Sequence, residues 1–134
     1  MQFIFKKRIY GFECDIYGHL NNANYLTLLE SARSEALQSM GMPIQKLLDM
    51  KWHMYVLRFE LEYIRALQLE DIVEVRSKVT TLNRVKSSWL QEIYNSKGEL
   101  CFRAIPTVVF AYNGKPARLV PEIMSVFEKY LERD

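Results

Sequence analysis

The segment Asp15–Tyr25 holds the side chains of this chain that are best suited to chemistry. It combines a carboxylate, the imidazole of His19 and the carboxamides of Asn21 and Asn22 in a turn that contains a glycine. A strand is predicted before this turn and an amphipathic helix after it. Attack on a carbonyl group needs a base or nucleophile beside a donor for the developing oxyanion, and free N–H groups at a helix N-terminus are such donors. The segment is therefore a candidate active site.

Each of these side chains also has a structural interpretation. Aspartate in a tight turn commonly accepts hydrogen bonds from backbone N–H groups, and this alone would explain Asp15. An imidazole exchanges protons near neutral pH, so His19 either assists the chemistry or bonds the backbone of the turn. Asn21 and Asn22 are candidate N-caps of the helix, a role that is compatible with free amides directed at a ligand. Tyr25 belongs either to the core or to the substrate-binding residues.

The residue types do not favour metal or thiol chemistry. His53 is the second of two histidines, and the two cysteines, Cys14 and Cys101, lie far apart in the sequence. This set lacks the spacing of a metal site and shows no arrangement of cysteine, histidine and acid, so we predict neither a metal nor a thiol nucleophile. No cofactor is expected.

The elements that position this segment follow from the hydrophobic pattern. Apolar residues recur at spacings of three and four from Asn22 to Met40, which predicts a long helix that ends at Gly41. A short helix over 44–50 is expected next. Alternating patterns predict five strands and a terminal helix after Pro121. The predicted strands cover residues 2–13, 54–64, 72–81, 87–94 and 100–112.

Two of these strands carry more detailed expectations. The strand over 54–64 is expected to direct one set of alternate side chains to the core: Tyr55, Leu57, Phe59, Leu61 and Tyr63. The strand over 100–112 is almost continuously apolar, so we expect burial on both faces, with a bulge or bend at Pro106. A long helix with an apolar stripe needs a sheet to cover it, and the predicted fold is an α+β domain whose curved antiparallel sheet wraps around that helix.

Length and composition are those of an ordinary globular protein. The chain has 134 residues, 49% of them hydrophobic, and a formal net charge of +2. We predict one domain over 1–134, with no nucleic-acid partner, because the basic residues are scattered among acidic ones. The N-terminus lacks a signal peptide and no apolar run is long enough to span a membrane, so a cytoplasmic location with reduced thiols is expected.

The order of elements and the pattern Asp15-x-x-Gly18-His19-Leu20-Asn21-Asn22-x-x-Tyr25 resemble the hotdog-fold acyl-CoA thioesterases of the 4-hydroxybenzoyl-CoA thioesterase family. The similarity extends over almost the whole chain. It implies a five-stranded antiparallel sheet around a long central helix. It also implies that two protomers pair by continuing one sheet, as a homodimer or a homotetramer, with active sites at the dimer interface.

The resemblance also implies roles for the residues of the segment. The aspartate that matches Asp15 acts in the family as a nucleophile or as a general base for water. In one branch a backbone N–H at the helix start polarises the thioester carbonyl, and by its offset this is the amide of Asn22. Some bacterial members have a histidine where this chain has Asn22, whereas the spacing of His19 is similar to that of plant acyl-carrier-protein thioesterases.

The resulting hypothesis is an enzyme that hydrolyses an acyl-CoA thioester to a carboxylic acid and free CoA. Asp15 and His19 are its predicted catalytic residues, and Asn22, Asn21 and Tyr25 its oxyanion and substrate-binding residues. Arg84 and Lys86, in a basic turn, are either contacts for the CoA phosphates or simply solvated. The alternatives are hydrolysis of acyl-carrier-protein thioesters and a non-hydrolytic module that binds acyl thioesters.

Overall fold

A computed structural model describes residues 1–131, and the last three residues of the predicted domain, 132–134, lie outside the described part. The chain forms six strands and three α-helices in one sheet-and-helix arrangement over those residues. The strands are β1 (Phe3–Arg8), β2 (Trp52–Tyr63), β3 (Ile72–Leu82), β4 (Lys86–Tyr94), β5 (Leu100–Tyr112) and the short β6 (Lys115–Pro116). The helices are α1 (Asn24–Ser39), α2 (Ile44–Asp49) and α3 (Pro121–Tyr130).

All strands pair antiparallel in the order β1-β3-β4-β5-β2, and β6 adds two residues beside β5. The sheet leaves two outer edges, β1 and β2. None of the described helices is both long and apolar enough to cross a bilayer. The predicted α+β architecture, an antiparallel sheet around a long helix, is confirmed.

Helix α1 is the buried centre of the fold, as its sequence pattern predicts. Its inward residues are buried against the sheet: Tyr25, Leu28, Leu29, Ala32, Ala36 and Leu37. The helix ends in a Schellman motif, in which Met42 N–H donates to the Leu37 carbonyl at 2.9 Å and Gly41 N–H to the Gln38 carbonyl at 3.0 Å. Gly41 has a φ of 75°, a left-handed conformation that glycine adopts without strain.

The first strand is shorter than the predicted 2–13. It stops at Arg8, and residues Gly11–Glu13 form a single 3₁₀ turn instead. Glu13 stabilises this turn, because its carboxylate accepts a hydrogen bond from Tyr10 N–H at 3.0 Å and pairs with Lys7. The turn redirects the chain toward the candidate site.

The predicted core face of β2 is wrong in its first half. The pairing of β2 with β5 shifts register between Val56 and Arg58, so Leu57 is an extra residue in a bulge. Side chains alternate along a strand, and one extra residue therefore exchanges the two faces. As a result Met54 packs toward α1, whereas Tyr55 is 50% exposed and Leu57 66% exposed.

Strand β5 is not buried on both faces. One set of alternate side chains is buried, among them Phe102, Val108 and Phe110, while Arg103 on the other face is exposed. The irregularity predicted at Pro106 occurs in the neighbouring strand, at the β2 bulge, one pairing position away.

Candidate active site

The loop that contains Asp15 is bound to the segment just before β3. Leu20 N–H donates to the Leu67 carbonyl, and Leu69 N–H donates to the Gly18 carbonyl, both at 2.8 Å. These bonds hold the loop against the sheet in a short antiparallel bridge at His19. Gly18, at a φ of 73°, adopts the left-handed conformation that lets the loop turn back.

The Asp15 carboxylate is held in one orientation by its own loop. Its Oδ1 atom accepts hydrogen bonds from the N–H groups of Tyr17, at 2.9 Å, and His19, at 3.2 Å. Within residues 1–131 its second oxygen, Oδ2, has no hydrogen-bond partner. The structural role predicted as the alternative for Asp15 is therefore present, and it leaves one oxygen available for chemistry.

His19 contacts Asp15 through its backbone. Besides the N–H bond, its carbonyl accepts a hydrogen bond from Asp15 N–H at 2.9 Å. The imidazole itself is half-buried and makes no hydrogen bond within the part of the chain that the structure describes. A role for the ring in proton transfer stays a prediction.

The asparagines shape the start of α1. Asn21 Oδ1 accepts a hydrogen bond from Ala23 N–H at 3.0 Å, and the Asn21 carbonyl accepts one from Asn24 N–H at 2.8 Å. Neither predicted N-cap occupies that position, because Ala23 is the residue before the first helical residue. Asn21 instead forms the turn that leads into the helix.

The backbone amide of Asn22 is available as a hydrogen-bond donor. Asn21, Ala23 and Asn24 all have bonded N–H groups, whereas the N–H of exposed Asn22 has no acceptor in residues 1–131. It lies beside the N-terminus of α1, where the helix dipole contributes partial positive charge. The arrangement is suited to an incoming oxyanion.

Tyr25, for which the sequence left a core role and a substrate-binding role open, lies in the core. It is 3% exposed, and its hydroxyl accepts a hydrogen bond from Leu67 N–H at 3.3 Å. Its ring packs against Phe102 at 4.7 Å and Tyr63 at 5.0 Å between centroids. Burial raises the pKa of the Tyr25 hydroxyl. Within residues 1–131, this tyrosine packs between the start of α1 and the sheet and exposes no surface to a ligand.

Two side chains that secure the loop, those of Asn24 and Tyr63, were not predicted as site residues from the sequence. Asn24 Nδ2 donates to the Glu13 carbonyl at 2.8 Å, and the Tyr63 hydroxyl donates to the Asn22 carbonyl at 2.9 Å. The position of Asn24 within an asparagine-rich run was a signal for the first of these bonds. The second joins residues 41 positions apart and has no local signal in the sequence.

Cys14 adjoins Asp15 but is poorly suited to act as a nucleophile. Burial, together with the neighbouring carboxylates of Glu13 and Asp15, raises the pKa of its thiol. A raised pKa leaves little of the reactive thiolate near neutral pH. In residues 1–131 there is also no group of three or more His, Cys, Asp or Glu side chains placed to hold a metal ion.

Arg84 and Lys86 do not lie near Asp15 in the same chain. They are at the turn between β3 and β4, while the Asp15 loop is attached at the opposite end of β3. The ten steps along that strand span about 33 Å. Arg84 also donates from Nε to the Leu119 carbonyl at 3.1 Å. The two residues form no common site with Asp15 within one protomer.

The hydroxyl of Tyr63 offers a test of how the loop is supported. We expect Tyr63→Phe to lower the free energy of unfolding by about 1 kcal/mol, because the Asn22 carbonyl loses its donor. If the Asn22 amide stabilises an oxyanion, turnover should fall more than the KM changes, because that amide belongs to the residue whose carbonyl loses its donor. Tyr112→Phe is a matched control at a similarly exposed tyrosine, 46% against 49%. Equal kcat values for the two variants would contradict this role.

Comparison with known proteins identifies the family to which this chain belongs. The chain belongs to the thioesterase-like superfamily, whose profile matches residues 12–127. The acyl-CoA thioester hydrolase YbgC of Escherichia coli O157:H7 is 26% identical over 124 residues, which cover 91% of this chain and 92% of that protein. The predicted family is confirmed.

Solved structures share this fold. A hypothetical protein from Aquifex aeolicus is 27% identical, with a TM-score of 0.89 over 93% of this chain and 98% of the other. DHNA-CoA thioesterase from Staphylococcus aureus has a TM-score of 0.90 at 23% identity, over 96% of this chain and 89% of that enzyme. The predicted hotdog fold is confirmed.

Proposed function

We propose that this chain hydrolyses acyl-CoA thioesters at a site formed by the Asp15 carboxylate and the Asn22 amide. The hydrolase class predicted from the sequence is confirmed by the family and by the relative from E. coli that is named an acyl-CoA thioester hydrolase. The observation that supports the site is that one short loop, at residues 15–22, carries both a carboxylate oxygen and a backbone amide without hydrogen-bond partners in residues 1–131.

The chemistry follows from these two groups. The thioester carbonyl oxygen accepts a hydrogen bond from Asn22 N–H, and negative charge that develops on it is stabilised by the dipole of α1. Asp15 Oδ2 either removes a proton from the attacking water or attacks the carbonyl carbon itself. In the first route the C–S bond of the tetrahedral intermediate breaks, and the proton taken from water passes to the leaving CoA thiolate. In the second route the C–S bond breaks to leave an anhydride between the acyl group and Asp15. Water then cleaves the new bond to Oδ2, which releases the carboxylic acid, restores the carboxylate and supplies the proton for the CoA thiol.

A second copy of the chain completes the site in this proposal. Bulky apolar side chains of the Asp15 loop are exposed in the single chain: Phe12 is 87% exposed, Ile16 92% and Tyr17 76%. The outer edge of β2 likewise has no strand partner within the described residues. Antiparallel pairing of two β2 strands would bring the start of one β2 beside the Asp15 loop of the other copy.

This pairing assigns a new position to the predicted phosphate contacts. Lys86 pairs with Val109, which in turn pairs with Tyr55 near the start of β2. The basic turn at Arg84 and Lys86 therefore lies at the end of the sheet that approaches the other copy's Asp15 loop. We propose that these side chains, which are too distant within one protomer, contact CoA phosphates across the dimer.

A thioester panel tests the proposed function. Purified protein is incubated with CoA and acyl-carrier-protein thioesters of several short, long and aromatic acyl groups, and free thiol is followed over time. We expect multiple turnovers with CoA thioesters, at a rate proportional to the enzyme concentration. Binding without release of thiol would overturn the assignment, and turnover restricted to acyl-carrier-protein thioesters would replace its substrate.

A further inference from the structure

Two opposite charges on α1, Glu30 and Arg33, form no salt bridge within residues 1–131. Glu30 and Arg33 lie three residues apart and both line a cavity of about 100 Å³ between the helix and β2. Met54 and Val56 form the strand side of this cavity. Among residues 1–131, neither charged side chain takes part in a salt bridge, although each is within electrostatic range of the other.

Arg33 is held in place by neutral groups. Its guanidinium donates to Gln91 Oε1 at 2.8 Å and lies over the ring of Phe59, 5.4 Å from the centroid. Gln91 is fully buried, and its Nε2 donates to the Leu29 carbonyl at 3.1 Å and to Ser77 Oγ at 3.0 Å. The amide orientation is thereby set, with its oxygen toward Arg33. A partly buried cation that makes no direct ion pair is costly, so this arrangement suits an acidic group supplied by a second copy of the chain.

The location of Arg33 indicates where that group comes from. The helix start is joined to the end of β2 by the bond between Tyr63 and Asn22, and Arg33 lies between Val56 and Phe59. Eleven helical residues rise about 16 Å, which equals about five residues of strand. Arg33 therefore lies level with the middle of β2, the unpaired edge of the sheet. A two-fold axis that pairs β2 with its copy along its length passes through this level.

We propose that Glu30 and Arg33 form two reciprocal ion pairs across the dimer, Glu30 of each copy with Arg33 of the other. In a two-fold interface any contact between two positions occurs twice, with the roles of the copies exchanged. Two helices that run antiparallel across an axis between these positions bring opposite charges together. The pairs fix the register of the β2 strands and hence the approach of one copy's basic turn to the other's Asp15 loop. This inference rests on the proposed shared site, but it concerns assembly and can fail separately from hydrolysis.

Complementary charge reversal tests the pairs. In the variant Glu30→Lys, positions 30 and 33 are both positive, and in Arg33→Glu they are both negative. A homodimer of either variant therefore places like charges opposite each other across the two-fold axis. We expect each to raise the dimer dissociation constant at least about tenfold, because juxtaposed like charges disfavour an interface. An equimolar mixture of the two variants should form a heterodimer with near wild-type affinity, since both contacts are then attractive. Sedimentation velocity over a concentration series measures all three.

Control variants separate assembly from folding and from substrate binding. Glu35→Lys makes the same charge change at an exposed position of α1 that does not line the cavity, and it should dimerise like wild type. If Arg33→Glu does not fold, the series Glu30→Gln and Glu30→Lys should still weaken the dimer in that order. A monomeric wild-type protein would overturn the inference. Charge-reversed variants with a wild-type dimer dissociation constant would also overturn it, whatever their KM. So would an equimolar mixture whose dissociation constant is no lower than that of either variant alone.

Discussion

Asp15→Asn should leave a folded protein whose kcat/KM for its best acyl-CoA substrate is lower by about a thousandfold. An asparagine side chain presents the same carbonyl oxygen to the N–H groups of Tyr17 and His19, so the hydrogen bonds of the turn are retained. What the variant loses is the negative charge of Oδ2, which is required of both a base and a nucleophile. Thiol release at saturating and at limiting substrate concentrations measures kcat and kcat/KM. A thermal melt measures the stability of the variant separately.

A matched aspartate provides the control for this experiment. Asp71 also accepts two backbone hydrogen bonds through its carboxylate, from Ile72 N–H at 3.0 Å and Ser96 N–H at 3.2 Å. Asp71 uses a different oxygen for each bond, Oδ1 for Ile72 and Oδ2 for Ser96, so Asp71→Asn loses one of them and should cost more stability than Asp15→Asn. Its turnover at a temperature where it is folded should nevertheless stay near the wild-type value. Hydrolysis by Asp15→Asn at the wild-type rate would remove Asp15 from the mechanism.

The largest effect on stability is expected from Phe102→Ala. Phe102 is fully buried and packs against both Tyr25 and Tyr63, the two tyrosines that hold the start of α1. Removing the ring leaves a cavity, and we expect the free energy of unfolding to fall by about 3–5 kcal/mol. Turnover should fall as well, because the helix start that carries the Asn22 amide loses its support.

Urea unfolding and activity at a temperature where the variant is folded check this prediction. Phe102→Leu keeps most of the volume and should cost only about 1 kcal/mol. An alanine variant as stable as the leucine variant would show that the ring is not a central part of the core. If the alanine variant is destabilised but keeps full turnover, the position of the Asn22 amide does not depend on packing against Phe102.

The hydrophobic pattern was sufficient to predict those elements whose buried face depends only on the spacing of their own apolar residues. The apolar stripe of α1 predicts its buried face, and Gly41 marks its end, because a helix buries one stripe whatever sheet covers it. The turn at residues 95–98 is likewise encoded locally, since Asn95 accepts the N–H bond of Gly98 at 3.0 Å. In these cases the deciding interactions lie within a few residues of one another.

Patterns failed where strand pairing decides the outcome. The core face of β2 depends on a bulge at Leu57, which arises from its register with β5 and has no local signature. The exposure of β5 on one face depends on which elements cover the sheet, and an apolar run alone does not reveal that. Both are properties of the assembled sheet.

By itself the sequence determined the fold class, the family pattern and the loop in which Asp15, His19 and Asn22 occur together. Their proximity follows from the chain, because few residues separate them. Only the tertiary structure decided that Tyr25 is core, that Tyr63 bonds the Asn22 carbonyl, and that the basic turn at 84–86 lies at the far end of the sheet. These facts depend on contacts between residues that are distant in sequence, and such contacts are set by the packing of the whole sheet around one helix.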